Sequence, residues 1–370
     1  MKKQLSSLDL HFLVEELKIL KDSRIDKIYQ PEKNLIVFRL YKTNAGKKLL
    51  KINVGQSLFV SDEKDDYGEI LGFGMLLRKH LDGCFLSDIS QIKPERIVKI
   101  SFIAKDSVKN LYIEFFGKGN AILCDVNGLI INSIEHHEFK DRAIKPKIAY
   151  KYPVMNYNFF DLSKNDLIDL FKTSKKDSLI ISLATEVGLG GVYSEEVCIL
   201  SGMDKIENPK NIDEKQCHSI LDAIRSLIDK NIDAQVVMEN SNLVDFVPFD
   251  LIFYKKYDKQ KFPTFNESVS FFYSHLNLAE DTEFDKKLKS LQRIIEEQKY
   301  TIDELKKEET ELREKGELIY HKYGLIKEII EELNKASKKY GWKEIREKLK
   351  GHKVIKDINE KDRKVTVELN

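Results

Sequence analysis

Between residues 288 and 312, Leu288, Leu291, Ile295, Ile302, Leu305 and Leu312 recur at alternating steps of three and four, with Gln298 and Glu309 filling the same series. A helix with this heptad period gathers these residues into one seam, and lysine and glutamate fill most other positions. The pattern predicts one arm of a coiled coil over residues 279–317. A lone helix of this kind leaves its seam in water, so the isolated chain is expected to self-associate through it. The competing reading is a solvated helix lying on its own domain. Beyond Gly316 the pattern predicts two shorter helices, Tyr320 to Ala336 and Lys343 to Leu349, and an alternating strand, Lys364 to Leu369. These make 318–370 the start of a small domain at the tip of the arm.

The residues before the arm can build cores, because the whole chain is 42% hydrophobic and 10% aromatic. Charged residues reach 33%, yet the net charge is only +1, so any contact with nucleic acid must come from local patches. Cys84, Cys124, Cys198 and Cys217 share no metal-ligand or disulfide spacing, and adjacent His136 and His137 on a strand would face opposite ways. A reduced, cytoplasmic protein without metal or cofactor is expected. There is no apolar signal core and no apolar run long enough for a membrane.

Ser6 and Asp9 fit a capping box at the start of a helix with apolar residues at Leu10, Leu13, Leu17 and Leu20. Strand-like runs follow at Asn34 to Tyr41 and Leu49 to Val60, then a helix at Gly68 to Leu81. Further strands are expected at Arg96 to Ile103, Leu111 to Phe116 and Ala121 to Ile134. The last is divided by Asn127-Gly128, a hairpin signal whose two-residue turn would take positive φ at both positions. Residues 1–158 therefore read as a mixed, mostly antiparallel sheet domain with helices. Residues 159–278 read as short helices punctuated by Gly188, Gly190 and Gly191, then an extended segment and a closing helix at Asn266 to Ser274. The fold class is α+β.

No catalytic constellation is visible: the chain lacks a phosphate-binding loop ending in Lys-Ser/Thr, a nucleophile elbow and HExxH. Gly188 to Gly191 follows a helix rather than a strand, which favours a turn between helices. The chain is not expected to be an enzyme.

Taken in order, several short motifs resemble one family. They are Leu8-Asp9, FGMLLRKHL (Phe73 to Leu81), QIKPERI (Gln91 to Ile97), Gly119-Asn120, Tyr150 with Pro153, GLGGVYSEE (Gly188 to Glu196), FPTFNES (Phe262 to Ser268), KGELIY (Lys315 to Tyr320) and Trp342 to Ile345. Across nearly the whole chain they are similar to the NFACT family of ribosome-associated quality-control factors. The resemblance implies a first domain like the N-terminal domain of formamidopyrimidine-DNA glycosylases. A helix–two-turn–helix domain and a long coiled coil carrying a middle domain then follow. It implies a return helix and an RNA-binding domain later in the protein, so the chain is expected to be an N-terminal part. It also implies binding to large ribosomal subunits that hold peptidyl-tRNA, and recruitment of charged tRNA, alanyl-tRNA in bacteria, for template-free extension of the stalled chain.

Family members engage tRNA through an acid near the first helix and an Asp-Arg pair before a strand. Asp9 matches the first; Glu95 and Arg96 stand at the second, with glutamate replacing aspartate. Arg78 and Lys79 add a basic stretch that could meet phosphate. Structural readings stand beside these. Asp9 fits a helix cap, Glu95-Arg96 an exposed turn, and Arg78-Lys79 cations at a helix C-terminus. Two other functions compete. A glycosylase-like DNA-repair protein would attack through an N-terminal proline amine and carry a zinc finger, whereas this chain has Lys2 and no zinc spacing. A coiled-coil scaffold or adhesin would account for the arm alone.

Overall fold

The computed structural model describes residues 2, 4–43, 46–62, 67, 71–104, 107–139, 142–153, 157–276, 283–352, 354–359, 362 and 364–368. Two compact units divide the chain, Met1–Ala279 and Glu280–Asn370.

The first unit opens with α1 (Ser7–Leu17), started by the expected capping box. The Ser6 hydroxyl accepts from Asp9 N, and the Asp9 carboxylate accepts from Ser6 N. Leu8, Leu10, Leu13, Val14 and Leu17 are all buried, so α1 is a central helix rather than a surface one. Four strands follow: β1 (Arg24–Glu32), β2 (Leu35–Lys42), β3 (Gly46–Asn53) and β4 (Ser57–Ser61). After α2 (Gly72–Leu81) come β5 (Phe85–Gln91), β6 (Ile97–Ala104), β7 (Ser107–Glu114), β8 (Asn120–Cys124) and β9 (Ile130–Ser133). They form one antiparallel sheet in the order β4-β3-β2-β1-β5-β6-β7-β8-β9. The sheet is two meanders joined at β1 and β5, where the register contains a single pair, Arg24 opposite Phe85.

The sheet curls on itself. Phe38 of β2 stacks on Phe102 of β6 with ring centroids 5.5 Å apart, although two strands separate them in the sheet. The turns of the two meanders also touch. A Cβ at Gly119 would lie 2.3 Å from the Gly55 Cα, and one at Gly55 would lie 2.7 Å from the Lys118 carbonyl oxygen. Both glycines have positive φ, +82° at Gly55 and +75° at Gly119, so both space and backbone conformation demand glycine.

Three sequence expectations change here. The run Leu49 to Val60 is two strands, turned at Gly55. Strands β1 and β5 were not anticipated. In β1 the buried Ile25, Ile28 and Gln30 fall out of strict alternation because bulges interrupt its pairing with β2. At the β8–β9 turn Gly128 has φ +78°, but Asn127 is not in the positive region. Instead Asp125 Oδ1 accepts from the amides of Asn127 and Leu129, each at 2.9 Å, and the β8–β9 register shifts between Leu123 and Cys124, leaving Ile131 of β9 without a partner in the ladder. An Asx-type turn with a bulge has replaced the two-residue hairpin. The part of the expected second helix over 68–70 lies outside the described residues.

The small pair β10 (His137–Glu138) and β11 (Ala143–Ile144) precedes the helical part: α3 (Lys164–Thr173), α4 (Leu179–Ser182), a π-turn over Leu183–Val187, α5 (Gly191–Ser201) and α6 (Glu214–Ile228). The expected extended segment is a three-stranded antiparallel sheet, β13-β12-β14, of β12 (Gln235–Glu239), β13 (Asn242–Val247) and β14 (Asp258–Lys261). Helix α7 (Phe265–Leu276) then returns to the large sheet. There the Asn266 amide grips Val60 of edge strand β4, accepting from its N–H at 2.7 Å and donating to its carbonyl at 3.0 Å. At the opposite edge the segment after β11 pairs with β9: Ile130 N donates to Ile148 O at 2.9 Å and Lys147 N to Ile130 O at 2.8 Å. One apolar core runs from α1 through the sheet into the helices and α7.

In the second unit α8 (Glu283–His321) is 39 residues long and runs through Gly316 to His321, past the expected boundary. Of its seam, Leu291, Ile295, Ile302, Leu305 and Leu312 are 49–58% exposed; the side chain of Leu288 lies outside the description. Helices α9 (Tyr323–Ser337) and α10 (Trp342–Lys348) and the hairpin β15 (Ile355–Asn359) with β16 (Lys364–Val367) follow. They close a small core of Leu333, Ile345, Ile355 and Ile358. Strand β15 was not anticipated, and Leu369 of the expected last strand lies outside the described residues.

Replacing Gly119 with alanine forces a side chain into occupied space at positive φ. The expected loss is about 2–5 kcal/mol of stability, read by urea unfolding. Alanine at Gly128, where a Cβ would meet nothing within 4 Å, should cost less.

Candidate functional site

The capping box that starts α1 is also the centre of a buried polar cluster. Asp9 is fully buried. Its Oδ1 accepts from the Tyr193 hydroxyl at 2.7 Å and its Oδ2 from Ser6 N at 2.7 Å. Lys2 Nζ lies 3.0 Å from Asp9 Oδ1 and 2.9 Å from Oδ2. The same ammonium reaches Asp245 Oδ1 at 3.0 Å and donates to the Phe246 carbonyl at 2.9 Å. Tyr254 OH donates to Asp245 Oδ2 at 2.6 Å. Burial alone would lower the Lys2 pKa, but the Asp245 and Asp9 carboxylates outweigh it and hold it above its ordinary value. Burial also raises Asp245, against the pull of Lys2. One ammonium therefore holds two carboxylates, and two phenols share the remaining negative charge. This ties α1 to α5 through Tyr193 and to β13 through Asp245.

The first residues of α1 form one wall of a cleft of about 420 Å³, lined also by Pro94, Glu95, Arg96, Phe116, Pro153 and Gly190. The loop between β5 and β6 is braced against that wall. Ser7 Oγ donates to Pro94 O at 2.6 Å, and Gln91 Nε2 donates to Ser7 O at 2.9 Å, Ser7 Oγ at 2.9 Å and Glu95 O at 3.1 Å. The Lys93–Pro94 peptide is cis. Across the cleft, Gly190 at φ +79° delivers the chain into α5.

Glu95 and Arg96 are both half-buried here. Glu95 Oε1 is shielded from solvent and has no hydrogen-bond partner among the described residues. Burial raises the Glu95 pKa to about 6, against the pull of Arg142 and Arg96. Burial likewise lowers the Arg96 pKa, opposed by Glu95 and Asp9, but a guanidinium stays charged near neutral pH. Its Nη1 donates to Gln4 Oε1 at 3.2 Å. One cleft thus brings together a carboxylate with one shielded, unpartnered oxygen, a cationic fork and the side chain of Phe116. Such a set can meet a polar base edge, a phosphate and an aromatic ring.

Behind this wall Glu114 accepts from Arg142 Nη1 at 2.6 Å and from Tyr150 OH at 2.8 Å, which gives the Tyr150 landmark an internal role. Among the expected site residues, Glu95 and Arg96 line the cleft. Asp9 is not among the cleft-lining residues: its carboxylate is buried and bonded to Lys2, Ser6 N and Tyr193, where it positions the cleft wall. Arg78 and Lys79 are exposed on α2 and do not line the cleft. Arg78 Nε donates to Ile28 O at 2.7 Å, and its guanidinium lies 5.9 Å from the Tyr29 ring centroid. Sequence analysis missed Lys2, Gln91, Tyr193 and Asp245 as parts of the site. The motifs QIKPERI, which begins at Gln91, and GLGGVYSEE, around Tyr193, pointed to two of them. Among the described residues no group of three or more His, Cys, Asp or Glu is placed to hold a metal, and no helix is long and apolar enough to cross a membrane.

Changing Lys2 to methionine leaves two buried carboxylates without their cation. Stability is expected to fall by about 3–5 kcal/mol in urea unfolding. Adding Asp245→Asn should recover part of that loss, because one of the stranded charges is gone; a double variant as unstable as the sum of the singles would refute the coupling.

Comparison with known proteins agrees with this architecture. A family profile described as NFACT N-terminal and middle domains matches residues 6–370. An archaeal Rqc2 homolog, aRqcH of Methanocaldococcus jannaschii, is 26% identical over 100% of this chain and 58% of its own length. The ribosome quality control complex subunit NEMF homolog of Drosophila melanogaster is 22% identical over 95% of this chain and 42% of its own. The chain thus spans little more than half, or less, of these relatives. Among solved structures, the N-terminal part of the fibronectin/fibrinogen-binding protein from Streptococcus suis shares the fold at a TM-score of 0.59 and 22% identity, covering 74% of this chain and 100% of that one. The fibrinogen binding protein from Staphylococcus aureus does so at 0.60 and 20%, covering 72% and 98%. With a profile match over nearly its full length, the chain belongs to the NFACT family.

Proposed function

We propose that this chain is the tRNA-reading portion of a ribosome-associated quality-control factor. In this reading the protein binds large ribosomal subunits that hold peptidyl-tRNA in the cytoplasm and brings charged tRNA, with alanyl-tRNA as a candidate, for template-free extension of the stalled chain. The ribosome makes the peptide bond and this chain is not an enzyme. The observation that carries the reading is the Glu95–Arg96 pair in the cleft, where a buried acceptor without a donor stands beside a cationic fork. Arg96 suits a phosphate or a guanine edge, Glu95 an exocyclic amino or ring N–H, and Phe116 the face of a base. Arg78 and Lys79 would add backbone charge at a distance from the cleft. The names of the curated relatives point the same way.

Filter binding with the chain and bulk tRNA tests this. Arg96→Ala is expected to weaken binding about tenfold or more and to make it less salt-dependent. Affinity of the parent chain should also fall as the pH drops through about 6, because Glu95 gains a proton there and ceases to be a full acceptor. Glu95→Gln should flatten that pH profile. Absence of binding to both tRNA and large subunits at low salt would overturn the proposal.

The exposed seam of α8 supports self-association of the isolated chain. Sedimentation should show a concentration-dependent dimer or larger species, and Ile302→Glu with Leu305→Glu should return it to monomer.

A further inference from the structure

The second unit carries a groove of about 470 Å³ between α9, α10 and the start of β15 that the tRNA reading does not use. Its floor is aliphatic, built by Leu333, Ala336, Ile345 and Leu349, and Lys335 and Lys348 stand on its rim. Leu333 and Ile345 are buried core residues, so the floor is fixed. One acid, Glu332, also lines it.

The charge around this groove is out of character with the chain. Residues 335–356 hold nine lysine or arginine residues against two acids, in a protein whose net charge is +1. Three of these cations have acidic partners: Lys348 with Glu344 at 2.9 Å, Arg346 with Asp357 at 3.5 Å, and Lys356 with Glu368. Lys335, Lys338, Lys339, Lys343 and Lys350 have no ion-pair partner among the described residues. Folding gains nothing from crowding like charges, and their mutual repulsion opposes the compact state. Lys335 and Lys348 line the apolar trough within this basic stretch, and together they suit a ligand with anions on its flanks and apolar side chains between them.

Single-stranded RNA is the less suitable occupant. Its bases bind on aromatic faces or guanidinium planes; the floor is aliphatic, and of the two aromatic rings in the lining His352 is held by the Val354 and Ile355 amides at 3.3 Å. The one arginine of the stretch, Arg346, is paired with Asp357, and the Tyr340 ring is covered by Lys348 Nζ at 3.9 Å. We propose that this groove docks an acidic amphipathic peptide segment of a partner protein, its leucine- or phenylalanine-type anchors on the aliphatic floor and its carboxylates against the lysine rim.

Fluorescence anisotropy with the 370-residue chain tests this, using as probe a labelled peptide that alternates Asp-Glu pairs with leucine and phenylalanine. Saturable binding is expected. It should weaken about tenfold or more when the apolar residues of the probe become serine, or when its acids become lysine. Ala336→Phe, which fills the floor, and Lys335→Glu, which reverses the rim, should each weaken it about tenfold, while Arg96→Ala leaves it unchanged. If Ala336→Phe fails to fold, Lys335→Glu with Lys350→Glu, both exposed, carries the test. Three results overturn the proposal: no saturable binding at about millimolar concentration, binding indifferent to the rim variants, or a serine-substituted probe that binds as well as the parent. A single-stranded RNA that binds more tightly than the peptide and is lost in the same variants also overturns it and assigns the surface to nucleic acid.

Discussion

Everything that shapes the cleft in the first unit depends on one buried ammonium. Lys2 lies between Asp9 and Asp245, partners separated in sequence by the whole nine-stranded sheet and helices α2 to α6. Placing three charges out of water is expensive, and the arrangement persists because each carboxylate has further donors: Tyr193 and Ser6 N for Asp9, Tyr254 for Asp245. The value of such a cluster lies in specificity of placement more than in net stability. It sets where α1 begins and how α5 and β13 stand against it. The two walls of the cleft, Ser6-Ser7 and Gly190, are the direct neighbours of these anchored residues.

On that frame the Glu95–Arg96 loop is held by a side-chain amide. Gln91 reaches both the α1 wall and the Glu95 carbonyl, so the loop cannot shift without breaking several bonds at once. The strategy suits a protein with almost no net charge. Instead of a broad basic field, the cleft offers one acid and one base whose surroundings are partly dry, where a contact is worth more than in open water.

Sequence reasoning reached the parts of the structure governed by local rules. The Ser6–Asp9 box, the seam of α8 and the glycine-marked entry to α5 all follow from spacing, because caps, heptads and left-handed turns are short-range devices. The class of the fold was legible for the same reason. Strand β1 was not, because bulges disturb its alternation. The turn at Asn127-Gly128 differs because Asp125, two residues upstream of Asn127, supplies a competing acceptor. The placement of Asp9 was illegible in a deeper sense. The sequence offered its carboxylate a helix cap or a ligand, and nothing near it announced a lysine seven residues earlier and a tyrosine 184 residues later as its partners. Long-range polar pairing leaves no periodicity to read.

The ends of the large sheet carry a further meaning. At β4 the amide of Asn266 imitates a strand, taking both the N–H and the carbonyl of Val60, and at β9 the segment around Lys147 and Ile148 occupies Ile130. An unprotected edge is a template on which any extended polypeptide can add a strand. Both edges of this nine-stranded sheet are blunted where a visitor would first register. At Val60 and at Ile130 an extended polypeptide could pair with the sheet only by displacing groups of this chain that already fill those bonds.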